Sequence, residues 1–171
     1  MIITYLYLAV VLFVSTPSTC GHSTHYSLHP DVITQYEKHG VLPPFQSYHI
    51  HVMFIFGNPK SIETAMALRA LFIEHFNLSK TANCTGLTHQ GRLCMFDVDS
   101  APDIDSPFVS GQWAVYLRLE DFPVCVPWIM QNRGELDILV HPNSGMSYND
   151  HMYWPVWGGT PWPINGAAFS T

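Results

Sequence analysis

The run Tyr48-His49-Ile50-His51-Val52-Met53-Phe54-Ile55-Phe56 constrains the fold of this chain more than any other segment. It is rich in β-branched and aromatic residues and reads as a strand. Successive side chains of a strand point to opposite faces, so Tyr48, Ile50, Val52, Phe54 and Phe56 share one side. That side is uniformly large and apolar, which suits packing against helices. The other side carries His49, His51, Met53 and Ile55. A strand of this kind belongs in a sheet with helices on one face only.

The rest of the chain supplies such a sheet. Gly57-Asn58-Pro59 ends the strand and opens a helix, with Asn58 as N-cap and Pro59 at the first helical position. Ile62, Ala65, Leu68, Phe72 and Phe76 recur at spacings of three and four and carry the helix to about Phe76. Leu93 to Val98 reads as a second strand, Gln112 to Leu119 as a third and Leu136 to His141 as a fourth. Phe122 to Arg133 carries a second helix; Pro127 must kink it or mark its true start, and Gly134 supplies its stop. The order βαββαβ predicts an α+β, ferredoxin-like sandwich: an antiparallel sheet with two helices on one face. The other face is expected to be open. The aromatic, proline-rich stretch Tyr153 to Pro163 is expected to form a lid over an apolar edge.

In that arrangement the first strand lies between the third and the fourth. On the fourth, Leu136, Ile138 and Val140 face the helices, and Asp137, Leu139 and His141 face the opening. His141 can therefore approach His49 and His51 across adjacent strands. Downstream, Asn149-Asp150-His151 adds a carboxylate and another imidazole, and His89 lies in a loop within plausible reach. One histidine among apolar residues is more often a satisfied, half-buried polar group than a ligand. An H-x-H pair facing a third histidine is better read as a metal face or an acid–base cluster, since neutral imidazole suits zinc, copper and non-haem iron. Asp97, Asp99 and Asp137 are alternative carboxylates, which read rather as solvated or turn-forming. On the third strand Tyr116 and Arg118 share one side, where Tyr116 can donate to a substrate oxygen or simply pack.

Charge narrows the partners. Lys and Arg number 7 against 13 Asp and Glu, a formal charge of -6, so no basic patch exists and nucleic acid is not an expected partner. The apolar run from Met1 to Val14 falls short of the roughly 20 residues that span a bilayer and precedes small residues near Thr19 to Gly21. It reads as a signal peptide over residues 1–21, followed by an N-terminal extension over 22–44 and the domain over 45–171. A secreted protein with no membrane contact after cleavage is expected. Asn77-Leu78-Ser79 and Asn83-Cys84-Thr85 are N-glycosylation acceptors, in keeping with export. Cys84 and Cys94 are close enough for a small disulfide loop, which leaves Cys125 a buried free thiol; three unpaired core cysteines are the alternative. A homodimer is compatible with the sequence.

Several of these segments are familiar together. Tyr48-His49-Ile50-His51-Val52, Pro127 to Arg133, Leu139-Val140-His141-Pro142-Asn143-Ser144-Gly145 and Asp150-His151 resemble the small DOPA 4,5-dioxygenase family of fungi and bacteria, over about residues 45–166. The resemblance implies a ferredoxin-like fold and extradiol cleavage of a catechol such as DOPA, using non-haem Fe(II) and dioxygen. It matches His49, His51, His141 and His151 to family histidines, and His89 to another. On that footing the metal is expected among His49, His51 and His141, with Asp150 as the carboxylate. His89 or His151 is then the acid–base group, and Tyr116 and Arg118 are substrate contacts. Two alternatives stay open: a secreted binding or structural protein that keeps the fold without the chemistry, and a zinc or copper protein that cleaves no ring.

Overall fold

The computed structural model describes residues 44–78, 83–87, 89–102 and 105–169. The expected signal peptide, almost all of the extension, Cys20 and the scattered His22, His25, His29 and His39 lie outside them.

The first strand, β1 (Ser47–Phe54), is the middle of a five-stranded sheet. It pairs antiparallel with β3 (Gly111–Arg118) on one side and β4 (Asp137–Asn143) on the other. A short β2 (Cys94–Met95) and β5 (Val156–Gly158) complete the order β2-β3-β1-β4-β5. Two helices, α1 (Pro59–His75) and α2 (Phe122–Asn132), pack on one face, as the βαββαβ order requires. The ferredoxin-like α+β fold is therefore the observed one.

Local chemistry sets the helix ends. Asn58 caps α1 by accepting from the Lys60 and Ser61 amides at 3.1 and 3.2 Å, and Pro59 takes the first turn, where no N–H is needed. Helix α2 starts at Phe122 and runs through Pro127, so the proline neither begins nor ends it. The carboxylate of Asp121 does not cap α2; it takes the amide and guanidinium of Arg118 instead.

The core lies between sheet and helices. Ile50, Val52 and Phe54 from β1 meet Leu68 and Phe72 of α1 and Ile129 of α2, and each such side chain contributes about 1.5–3 kcal/mol when fully buried. Trp113 is wholly buried and satisfies its indole N–H on the Ala65 carbonyl at 2.9 Å. Gly111 is required where β3 passes β1, because an added Cβ would overlap the Phe54 ring.

Two expectations are corrected. The second strand is far shorter than Leu93–Val98, because the chain beyond Met95 carries one extra residue relative to β3. Met95 pairs with Val115, while Asp99 bridges Gln112, so four steps on one side oppose three on the other. Such a bulge breaks the ladder and changes which face later side chains occupy. Phe96 points to the histidine side and Val98 packs on the core, yet Asp99 returns to the histidine side.

The second correction concerns the supposedly open face, which is roofed. A short helix, α3 (Ser147–Met152), and the tail up to a 3-10 turn at Gly166–Phe169 cover it. The expected lid extends the sheet as β5, and Trp157, Trp162 and Ile164 then pack on Met53, Phe108 and Leu139. Asp137, expected to be solvated or turn-forming, anchors this roof by accepting from the Thr160 amide and the Trp162 indole, both at 2.7 Å.

Candidate metal centre

Strand alternation and register together build the site. His49 lies directly opposite His141 across the β1–β4 pair, and His51 is two residues along on the same face. Their exposures are only 6, 7 and 0% for His49, His51 and His141. One ring nitrogen from each falls within 4.8 Å of the others, which is the spacing a single metal ion needs.

The second nitrogen of each ring decides what the first can do. The Nδ1 of His51 lies 3.1 Å from the amide oxygen of Gln112, and the Nδ1 of His141 lies 2.8 Å from the Pro142 carbonyl. An amide or carbonyl oxygen only accepts, so each Nδ1 carries the proton and each Nε2 keeps its lone pair. Those two Nε2 atoms face each other at 3.1 Å. His49 bonds the backbone of Leu87, and its Nε2, fully buried, has no partner among the described residues. Buried lone pairs aimed at one point repel one another unless a cation lies between them. The residues present therefore fit a metal ion, and their outer bonds fix the rings in the ligating tautomer.

Electrostatics agree. Burial drives the His49 pKa down to about 4, against the opposing pull of the Leu87 bond and with help from His151. Burial, reinforced by the neighbouring imidazoles, also holds His51 and His141 well below the ordinary histidine value. All three are neutral at pH 7, the form that binds metal.

The other expected site residues divide. His151, on α3, packs its ring 3.8 Å from that of His141 and donates Nδ1–H to the Ser147 carbonyl at 2.8 Å, leaving its Nε2 as an acceptor. Burial lowers its pKa to about 4. Asp150 is buried too, but both its oxygens are taken by Ser144, from the amide at 3.0 Å and the hydroxyl at 2.7 Å. It lies outside the group of metal-range donor atoms and holds the loop that carries α3. Burial raises its pKa to about 6 even though the Ser144 bonds favour the ionised form.

His89 is exposed in a left-handed conformation (φ 59°) and does not line the cavity over the site. Tyr116 is buried with its ring 5.8 Å from that of His49 and is not among the residues that line the cavity. Arg118 lies at the end of β3, paired with Asp121 at 2.8 Å and with Glu120.

The cavity itself measures about 500 Å³. Its floor is His49 and His51, and Phe96, Phe108 and Phe169 give it aromatic walls. Phe169 stacks on His151 at 4.2 Å. Gln112 is the functional residue that sequence reasoning missed. It alternates with Tyr116 on β3, so the same period of two that selected Tyr116 also places Gln112 on the histidine face. The Cys84–Cys94 disulfide is present, and it closes the loop that carries Leu87 to His49; Cys125 is free and buried, its thiol pushed up to about 12 by burial.

A ferredoxin-like sheet whose second face carries a roofed cluster of three histidines, spaced so that one metal ion could sit between them, defines a class of small α+β proteins with a candidate metal pocket. Residues 48–168 match the model of the Dopa 4,5-dioxygenase family, and the chain belongs to that family. It is 25% identical over 123 residues to the DOPA 4,5-dioxygenase of Amanita muscaria, a match covering 70% of this chain and 48% of that protein. The chain thus spans about half the length of that curated relative. A crystal structure of a proposed dioxygenase from Nostoc punctiforme superposes with a TM-score of 0.55 at 27% identity, covering 72% of this chain and 90% of that one.

Proposed function

We propose that this protein is a metal-dependent extradiol dioxygenase that cleaves a catechol ring with dioxygen, and that Fe(II) is its metal. The observation that carries the reading is the convergence of three buried imidazole nitrogens whose outer nitrogens are tied to protein oxygens. His49, His51 and His141 would hold the ion. When bound, it would supply Lewis acidity toward the catechol oxygens and the electron exchange that dioxygen chemistry requires.

The chain's own contributions follow from the geometry. Phe96, against His49, and Phe108, against His51, line the cavity and offer apolar ring surface to an aromatic substrate. The roof of α3 and the C-terminal turn limits water, which strengthens every polar contact inside. His151 presents Nε2 as a proton acceptor, and its low pKa suits it to a hydroxyl already acidified in the site. Gln112 keeps His51 oriented.

Export is part of the same proposal. The Cys84–Cys94 bond suits an oxidising compartment, and Asn77 and Asn83 are exposed where a glycan can be borne.

Metal analysis of the purified protein, then anaerobic loading with Fe(II) and exposure to L-DOPA or an unsubstituted catechol in air, tests the reading. One metal per chain and a yellow ring-opened product are expected. A protein that takes up no stoichiometric metal, or one that takes it up and leaves every catechol intact, would refute it.

A further inference from the structure

The cavity carries one charged side chain whose purpose the ring-cleaving reading does not use. Asp99 lines it, and among the described residues no lysine or arginine does. Lys60 pairs with Glu63, Arg118 with Asp121 and Glu120, and Arg69 and Arg133 bond backbone carbonyls. Among the described residues, the cavity is thus lined by one acid and by no lysine or arginine.

Asp99 is aimed there by the backbone. Its amide and carbonyl exchange hydrogen bonds with Gln112 at 2.9 and 2.8 Å, an antiparallel bridge that puts both side chains on one face. Gln112 uses that face to reach His51, so the Asp99 carboxylate lies on the metal side of the sheet. Without the extra residue between Met95 and Asp99, strand alternation would turn this carboxylate toward the helices. Asp99 is half-buried, and its carboxylate has no hydrogen-bond or ion-pair partner among the described residues. Its column lies two inter-strand steps, each of about 4.8 Å, from that of His49 and His51, a span comparable to a catechol ring with a short side arm.

We propose that the site selects a catechol whose side arm ends in a protonated amine and bears no carboxylate, with Asp99 as the residue that reads the amine. This rests on the catechol reading above and deepens it. An amino-acid catechol could offer the same ammonium. Its carboxylate would then stand beside Asp99 in a pocket that, apart from the proposed metal ion, no lysine or arginine lines among the described residues, an arrangement that selects against it.

The test is anaerobic calorimetry on the zinc-loaded protein, which binds without turnover. Four ligands share one ring: 4-ethylcatechol, dopamine, DOPA and 3-(3,4-dihydroxyphenyl)propanoate. Dopamine should bind roughly tenfold tighter than 4-ethylcatechol, and DOPA and the propanoate more weakly than dopamine by at least that factor. In Asp99→Asn the ratio of dopamine to 4-ethylcatechol affinity should fall to near one, and in Asp99→Lys the propanoate should become the preferred charged ligand. DOPA binding as tightly as dopamine, or a ratio unchanged in Asp99→Asn, overturns the proposal while 4-ethylcatechol binding leaves the catechol reading in place. Failure of all four ligands to bind overturns both.

Discussion

On β1, Ile50 and Val52 are fully covered at 0% exposure, and His49 and His51 on the opposite side are nearly as deep at 6 and 7%. The first pair is covered by helices and gains from leaving water. The second is covered by a roof of aromatic side chains, and burying an imidazole with an unsatisfied nitrogen costs free energy. One strand therefore carries a face that makes the fold and a face that the fold must support. Function lives on the side where burial is unfavourable, and the contrast can be broken experimentally.

The largest effect is expected on the helix side. Phe72→Ala removes a wholly buried ring that contacts Trp113 and Trp128, and should cost about 3–5 kcal/mol of stability in denaturant unfolding. The folded fraction should bind metal in the usual ratio. A variant that unfolds no more readily than the parent would break the distinction.

On the histidine side, His49→Ala, His51→Ala and His141→Ala should each weaken zinc or iron binding by on the order of 100-fold or more, read by competition with a chelator. Their circular dichroism should stay native and the metal-free stability should fall less than in Phe72→Ala. Normal metal uptake, or collapse of all three proteins, would show that these imidazoles are core groups after all.

Gln112→Leu sharpens the argument one step out. It keeps the size of the side chain but removes the acceptor that fixes His51, and should lower metal affinity by roughly 10- to 100-fold with the fold intact. An affinity equal to the parent's would mean that the tautomer needs no outside support.

The smallest effect is in pH. Because the three imidazoles are neutral in the folded protein, metal affinity should change by no more than about twofold between pH 8 and pH 6 and fall steeply only toward pH 4. Stability behaves differently. His49 and His151 titrate near 4 when folded and near 6.5 when unfolded, so the unfolded chain binds more protons between those values. Stability is therefore full above 6.5 and is lost as pH falls toward 4. Asp150, raised to about 6, opposes this by favouring the folded state as it protonates between 6 and 4. Metal-free thermal melts across pH 8 to 4 should show a net decline; a flat profile would contradict the buried-neutral histidines.

What could be read in the sequence follows from how local the signal is. The histidine triad was legible because a period of two places His49 and His51 on one face, and the βαββαβ order places His141 beside them. The Asn58 cap and the Cys84–Cys94 pairing were legible for the same reason, being set by neighbours in the chain. That Tyr153 to Pro163 forms a lid was legible in its aromatic and proline content, but its place was not: it has no periodicity, and only tertiary contacts such as Asp137 with Trp162 show where it lies. The bulge after Met95 has no local mark either, so Asp99 read as a turn residue. Asp150 and Arg118 looked available because their partners, Ser144 and Asp121, are ordinary residues in ordinary positions.

The roof also has a place in time. His49, His51, His141 and His151 all precede β5 and the Phe169 turn in the chain, so they leave the ribosome before the segment that covers them. The floor of the site and α3 can assemble while β5 and the C-terminal turn are still unmade, so an ion arriving then meets a site that is only partly covered. On the proposed metal reading, a chain stopped after Met152 should exchange zinc far faster than the full chain, with closure of the tail as the step that commits the ion.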